Sequence, residues 1–237
     1  MHPADRLVEQ LLARLGVAPA VPVDLEAVAR GLGVAAVRTA DLVEEGRLER
    51  TGGRTEILVR RGAPAARRRF TIAHELAHLL LEPGGTAERS ARGERRCDEV
   101  AAALLMPRAW VASYEGRPRC LATARALAAE GGVSISAAVT RLDEVLGWRC
   151  GLLRFRRQDG RWRFLGACAV PASASAGIRS APGTSSVLDD IARRSPRDTR
   201  TTVPVRVGDA VLEVPAEVSV RAGSALVLAD AAALMGG

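Results

Sequence analysis

The residues with the clearest chemical potential in this chain are two histidines and a glutamate that lie close together. They belong to the segment His74-Glu75-Leu76-Ala77-His78, an HExxH pattern. Residues four apart share one face of an α-helix, so both imidazoles can bind one zinc ion at about 2.0–2.1 Å. Glu75 follows the first ligand and can reach a water molecule that zinc has acidified. The spacing therefore predicts a zinc site with Glu75 as the general base of peptide hydrolysis.

The surrounding sequence predicts the buried helix that such a site needs. The segment from Thr71 to Leu81 is rich in apolar residues, with Thr71 as its N-cap and a Pro-Gly-Gly stop after it. Two of the three histidines in the chain lie in this helix. The alternative interpretation is a pair of helix histidines beside a salt-bridged glutamate, with no metal.

Two histidines leave a catalytic zinc ion short of one protein ligand, because such sites normally have three protein ligands and a water molecule. The helix predicted from Ser90 to Leu105 offers Glu94 and Asp98, which are four residues apart and share one face. Glu94 would complete the ligand set as in thermolysin-like enzymes, and Asp98 would accept a hydrogen bond from the far nitrogen of a ligating imidazole. Asp98 as an ordinary solvated residue, or as the third ligand in place of Glu94, stays open at this point. Rival third ligands are Glu82, Glu88 and Glu99.

Length and composition limit the class of protein. The 237 residues suffice for one large domain or for a catalytic domain with a smaller companion. Hydrophobic residues make up 48% of the chain, which predicts a packed core. The net charge of +7 is compatible with an acidic or nucleic-acid partner without choosing between them. The absence of a signal-peptide pattern, of a long apolar run and of paired CxxC cysteines predicts a cytoplasmic protein with reduced thiols and no membrane partner.

Two segments around the candidate ligands resemble a known family. RRFTIAHELAHLLLE, followed by ERRCDEVAAALLMP, is similar to the ImmA/IrrE metallopeptidases. Their usual pattern is RFTIAHELGHLLL, then a glutamate four residues before an Asn or Asp, then FAAxLLMP. Glu94 falls on that glutamate and Asp98 on the Asn or Asp. Ala77 replaces a usual glycine and Val100 a usual phenylalanine, and both departures leave the zinc chemistry untouched. The resemblance covers about residues 4–146.

This resemblance implies a zinc-dependent endopeptidase of α+β fold, with a zincin-like domain of the minimal thermolysin-like kind. It implies His74, His78 and Glu94 as metal ligands, Glu75 as the catalytic residue and Asp98 behind a ligating imidazole. Members of the family are similar in cleaving helix-turn-helix repressors of the Cro/C1 type. The implied partner is therefore such a repressor, whose cleavage would induce stress or mobile-element genes.

We expect three regions along the chain. Residues 1–118 form the predicted metallopeptidase domain, and residues 119–147 a helix-turn-helix-like pair of helices. Residues 148–237 open with a hairpin pattern and form a predicted β-rich domain, for which a sensing or GAF-like role is one interpretation. The second helix of the pair carries only Arg141 as a phosphate contact. Packing or repressor docking is therefore favoured over direct binding of nucleic acid.

The main alternative function is a non-catalytic, zinc-containing regulator that binds a repressor or DNA. Glu75 favours the enzyme, since a structural zinc site needs no base at that position. A defence protease with another protein target stays open. Within the peptidase interpretation, strand Thr55–Val59 is either an edge strand that pairs with an extended substrate or an ordinary interior strand. Tyr114 is either an oxyanion donor or a packing residue.

Overall fold

The chain is a mixture of helices and strands, which confirms the predicted α+β class. The computed structural model describes residues 1–17, 21–81, 90–170, 177–194 and 198–235. Within these ranges no helix combines the length and the apolar character that crossing a membrane requires. The chain divides into two compact units: Met1–Glu115 with Leu127–Ala137, and Gly116–Ala126 with Ala138–Gly237.

The first unit contains a three-stranded sheet preceded by two helices. These elements are α1 (Pro3–Leu15), α2 (Leu25–Gly31), β1 (Val34–Ala40), β2 (Gly46–Thr51) and β3 (Arg54–Arg60). The strand order is β1-β3-β2, with β3 parallel to β1 and antiparallel to β2. β3 is therefore the central strand, and Ile57 and Val59 are fully buried in it. The edge-strand interpretation of Thr55–Val59 is wrong, and β2 is an edge of this sheet instead.

Two packed helices follow the sheet and carry the candidate ligands. They are α3 (Ala65–Leu81) and α4 (Ala91–Leu105), and the short helix α5 (Arg108–Ala112) comes after them. α3 begins at Ala65, so Thr71 is not an N-cap. The Thr71 hydroxyl donates instead to the backbone oxygen of Arg67 at 3.0 Å, inside the helix. α4 begins after Ser90, whose hydroxyl accepts the N–H of Gly93 at 3.1 Å and caps the helix.

The helix pair predicted between residues 119 and 147 is present. It consists of α6 (Leu121–Gly131) and α7 (Ile135–Leu146), joined by three residues, and both units take residues from it. Arg141 is only 3% exposed and donates to Glu144 at 3.2 Å. The interpretation of Arg141 as an available phosphate contact is therefore wrong.

The second unit is built on a six-stranded antiparallel sheet in the order β5-β4-β9-β8-β7-β6. The strands are β4 (Cys150–Gln158), β5 (Arg161–Cys168), β6 (Ile178–Ser180), β7 (Thr199–Val207), β8 (Ala210–Arg221) and β9 (Ser224–Asp230), and α8 (Thr184–Arg194) lies between β6 and β7 in sequence. The turn between β4 and β5 holds Asp159 and Gly160 at φ values of 50° and 74°. Two such residues in succession suit a tight hairpin turn.

One face of this sheet carries the hydrophobic core of the second unit. Phe155 and Phe164 meet edge to face on it, with ring centroids 5.4 Å apart. Leu188 and Ile191 of α8 belong to the same buried cluster. Because side chains alternate between the two faces of a strand, every second residue of β4 and β5 points away from this core.

Residues of α6 that belong to the second unit are tied to its sheet by polar contacts. The N–H of Leu121 donates to Glu217 Oε2 at 2.8 Å, and Arg125 donates to Asp198 and to Ser219. Burial alone would raise the pKa of Asp198, but the hydrogen bonds from Ser219 and Arg125 and the positive charges nearby outweigh it and lower this pKa below its ordinary value. Asp198 is therefore a charged anchor for α6.

Candidate metal centre

Three potential metal ligands converge between α3 and α4. His74 and His78 lie one helical turn apart on α3, with their Nε2 atoms 3.1 Å apart. Glu94 of α4 places Oε2 3.1 Å from Nε2 of His74 and Oε1 3.7 Å from Nε2 of His78. One ligand atom from each of the three residues lies within 4.8 Å of the others. The structure thus brings together the three residues that the sequence predicted as ligands.

These separations fit the requirements of a zinc ion. Ligands of a tetrahedral zinc at about 2.0–2.1 Å lie about 3.3 Å from one another. The two imidazole Nε2 atoms, and Nε2 of His74 with Oε2 of Glu94, are each 3.1 Å apart, close to that value, and the other Glu94 oxygen, Oε1, lies 3.7 Å from Nε2 of His78. The donor set of two imidazole nitrogens and one carboxylate is also that of catalytic zinc sites.

Asp98 determines which nitrogen of His74 faces the centre. Its Oδ1 lies 2.9 Å from Nδ1 of His74, and a carboxylate can only accept, so Nδ1 donates. In the neutral ring, Nε2 then presents a lone pair to the carboxylate of Glu94 at 3.1 Å. Two acceptors at that distance repel each other unless a proton or a metal ion lies between them. A metal ion bound by both groups would meet this requirement.

Cys97 supports the second imidazole in the same way, and the sequence analysis did not single it out. The Cys97 Sγ lies 3.4 Å from Nδ1 of His78, and Cys97 is fully buried. If Nε2 of His78 binds metal, its Nδ1–H donates to this sulfur. The signal was present in the sequence, because positions 94, 97 and 98 are spaced i, i+3, i+4 on one helix face.

Glu75 lies in a pocket beside the centre. The pocket has a volume of about 200 Å³, and its lining includes His74, Glu75, Asp98, Phe70 and Arg67. Glu75 is only 4% exposed. Its side chain therefore lies in the wall of a small, partly apolar space next to His74, where a general base would be needed.

The edge strand β2 reaches the same pocket through Gly46. A Cβ atom added to Gly46 would lie 2.3 Å from Cγ2 of Thr71 and 2.9 Å from the backbone oxygen of Leu58. No other residue fits here without a shift of β2 or α3, so the backbone of β2 lies directly against the helix that carries Glu75. Because Gly46 also lines the pocket, β2 begins beside the candidate centre, and among the described strands it pairs with β3 alone.

Glu99 and Tyr114 are not among the residues that form the candidate ligand group or line the pocket beside it. Glu99 is 48% exposed and lies 4.0 Å from His2, on another side of α4. Glu82 and Glu88 lie outside the described residues. Tyr114 is 1% exposed and packs edge to face on Trp110, with ring centroids 5.9 Å apart, as expected of a packing residue.

A pair of packed helices presents this donor set beside a buried glutamate, which is the arrangement that a metallopeptidase needs. Residues 29–143 match the family model described as the IrrE N-terminal-like domain, which is a peptidase family. The match covers both motif segments and confirms their resemblance to the ImmA/IrrE family. The family implies a metal ion and a protein substrate, and His74, His78 and Glu94 form a group that could hold such an ion.

A solved structure shares the fold over most of the chain. It is a Mycobacterium tuberculosis transcriptional regulator, which is similar with a TM-score of 0.59 and 16% sequence identity. The alignment covers 97% of this chain and 77% of that chain. No curated protein gave a significant match.

Proposed function

We propose that this protein is a zinc-dependent endopeptidase with a zincin-like catalytic domain. The observation that carries the proposal is the convergence of His74, His78 and Glu94 beside the buried Glu75. The two histidines and Glu94 would hold zinc, while Asp98 and Cys97 hold the two imidazoles in orientation. A purely structural zinc site needs neither a pocket nor a carboxylate beside it.

Zinc, when bound, supplies a Lewis acid that polarises a peptide carbonyl and lowers the pKa of water. The residues of the chain perform the proton transfers. Glu75 accepts a proton from the attacking water as its oxygen bonds to the carbonyl carbon. Glu75 then donates that proton to the leaving nitrogen as the C–N bond breaks, so the products are a carboxylic acid and an amine. Asp98 keeps the Nδ1 proton of His74 in place throughout.

The substrate is best presented as an extended segment on β2. An edge strand offers unpaired backbone N–H and C=O groups, and an added strand satisfies them. β2 pairs only with β3 among the described strands. Since Gly46 lies in the pocket with Glu75, a segment paired with β2 would pass its backbone across the candidate centre.

The substrate that we propose is a helix-turn-helix repressor of the Cro/C1 type, whose cleavage would induce stress or mobile-element genes. The family resemblance supports this choice, and the open pocket and free strand edge support an extended, exposed loop as the cleaved segment. The non-catalytic regulator is the competing function, and it assigns no role to the Glu75 carboxylate.

The decisive experiment compares wild type with Glu75→Gln. Both proteins are incubated with a purified helix-turn-helix repressor of the Cro/C1 type, and intact repressor is followed on a gel. The glutamine keeps the shape of the side chain but cannot accept a proton. Cleavage should fall by about 10²–10⁴-fold while bound zinc stays at one ion per chain.

Glu99→Gln is the matched control, because it makes the same change on an exposed residue of α4. This control should cleave as wild type does. Equal cleavage by wild type and Glu75→Gln would reject the peptidase mechanism. Repressor binding by both proteins with cleavage by neither would favour the non-catalytic regulator.

A further inference from the structure

The outward face of the β4–β5 hairpin is strongly basic. It carries Arg154 and Arg156 on β4, and Arg161 and Arg163 on β5. We call these four residues the arginine face. Arg156, Arg161 and Arg163 are exposed, and Arg154 is half-buried.

The pairing register puts the four arginines on the same side of the sheet. Phe155 pairs with Phe164 on the core face. The next pair along the hairpin, Arg156 and Arg163, therefore points outward, because directly opposed residues share a face and successive pairs alternate. By the same alternation, Arg161 and Arg154 also point outward.

These arginines have no acidic partners. Within the described part of the chain, none of the four forms an ion pair, and the buried Nε of Arg154 has no hydrogen-bond partner. Arg157, on the core face of the same strand, does have one: it lies 3.5 Å from Asp189 of α8. The hairpin thus neutralises its inward arginine and leaves the outward ones uncompensated.

Protection of a sheet edge does not explain this placement. A charged edge strand discourages pairing with other chains, and β5 is an edge. However, Arg154 and Arg156 lie on β4, which is paired with β5 on one side and β9 on the other. Arg156 and Arg163 are also directly opposed, and like charges in that position destabilise a sheet. An anionic partner bound between these two guanidinium groups would offset their repulsion.

We propose that the arginine face binds the phosphate backbone of duplex nucleic acid. Guanidinium groups match phosphate oxygens with paired hydrogen bonds. Arginines two residues apart repeat every 6.8 Å or so along a strand, and the two strands lie about 4.8 Å apart. Arg156 and Arg163 are directly opposed, while Arg154 and Arg161 lie at opposite ends of the face, so the positive charge extends along the hairpin.

The side chains around the arginine face favour a duplex over other polyanions. Single-stranded nucleic acid is normally held by aromatic stacking, whereas Phe155 and Trp162 of this hairpin belong to the core cluster and Phe164 packs against it. Protein interfaces are centred on buried apolar or aromatic anchors, and the large apolar residue exposed on this hairpin is Leu165 alone among its described residues. Binding to the phosphates of a duplex requires neither exposed aromatic rings nor an apolar anchor.

The test uses the full chain with Arg156→Gln and Arg163→Gln combined. A fluorescein-labelled 20-base-pair DNA duplex of arbitrary sequence is titrated between 50 and 200 mM salt, and anisotropy is measured. Loss of two phosphate contacts should reduce the slope of log K against log salt by about 2, with an affinity loss of roughly 10-fold or more. The melting temperature of the double variant should equal or exceed that of wild type, since a like-charge pair is removed.

The matched control combines Arg14→Gln and Arg30→Gln, which removes the same charge from two exposed positions of the first unit. It should bind the duplex as wild type does. Equal losses in the two double variants would show that net charge alone drives binding and would overturn the proposal. Tighter binding of wild type to the single strand, or to poly-glutamate, than to the duplex would also overturn it.

Discussion

Replacing Asp98 with alanine should weaken zinc binding although no proposed ligand is removed. The Asp98 carboxylate accepts the Nδ1–H of His74 at 2.9 Å and so keeps the Nε2 lone pair directed at the centre. Without it, the ring can rotate and take the other tautomer. Supporting contacts of this kind contribute about 10–100-fold to metal affinity, which corresponds to about 1.4–2.7 kcal/mol. The Asp98 side chain is 54% exposed, so water can replace part of the lost bond, and we expect about 10-fold.

The assay is competition for zinc between the protein and a coloured indicator of known affinity. Glu99→Ala is the control, since it removes the same charge from the neighbouring residue, which lies near His2. Asp98→Asn should fall between wild type and Asp98→Ala, because the amide oxygen still accepts a hydrogen bond but carries no charge. If Glu99→Ala lost as much affinity as Asp98→Ala, the effect would come from local charge, and the orienting role of Asp98 would be refuted.

Four further predictions test other parts of the structure. Metal analysis should find about one zinc ion per wild-type chain, and His74→Ala and His78→Ala should each lose this ion. Gly46→Ala should raise KM more than it lowers kcat, because the added methyl group displaces the edge strand that we propose holds substrate. Asp198→Asn should lower stability at neutral pH. Because the folded pKa of Asp198 is depressed, the difference from wild type should be constant above the ordinary carboxyl pKa of about 3.9 and should vanish as the pH falls through the folded value, which urea unfolding at several pH values would show. A chain that ends at Gly147 should keep one zinc, whereas an insoluble, metal-free product would mean that the two parts fold as one.

The metal centre could be predicted from sequence because its residues depend on helical periodicity, which is local. His74 and His78 are one turn apart whatever the rest of the chain does, and Glu94 and Asp98 repeat that spacing on the next helix. The helix begins at Ala65 and not at the predicted Thr71, because Arg67 and its two neighbours continue it and arginine is a good helix former. An error of this kind changes the predicted start of the helix but not the spacing of His74 and His78 on it.

Strand order could not be read in the same way, because it depends on pairing between distant segments. β2 lies between β1 and β3 in sequence but at the edge of the sheet in space. Nothing in the alternation of residues in Arg54–Arg60 distinguishes a central strand from an edge strand before its neighbours are known. The sequence therefore left open whether Thr55–Val59 is an edge strand or an interior strand, and the pairing shows that it is interior and that β2 is an edge.

The arginine face shows the same dependence on register. The hairpin sequence contains several arginines close together, and only the opposition of Phe155 to Phe164 separates the outward ones from Arg157. The two proposals are independent, because they concern different units of the chain. Every proposed metal ligand lies in the first unit and all four outward arginines lie in the second. Glu75→Gln should therefore leave duplex binding unchanged, and the arginine variant should leave zinc binding unchanged. If one of the two tests fails, it refutes only the proposal that it addresses, and the other proposal stands.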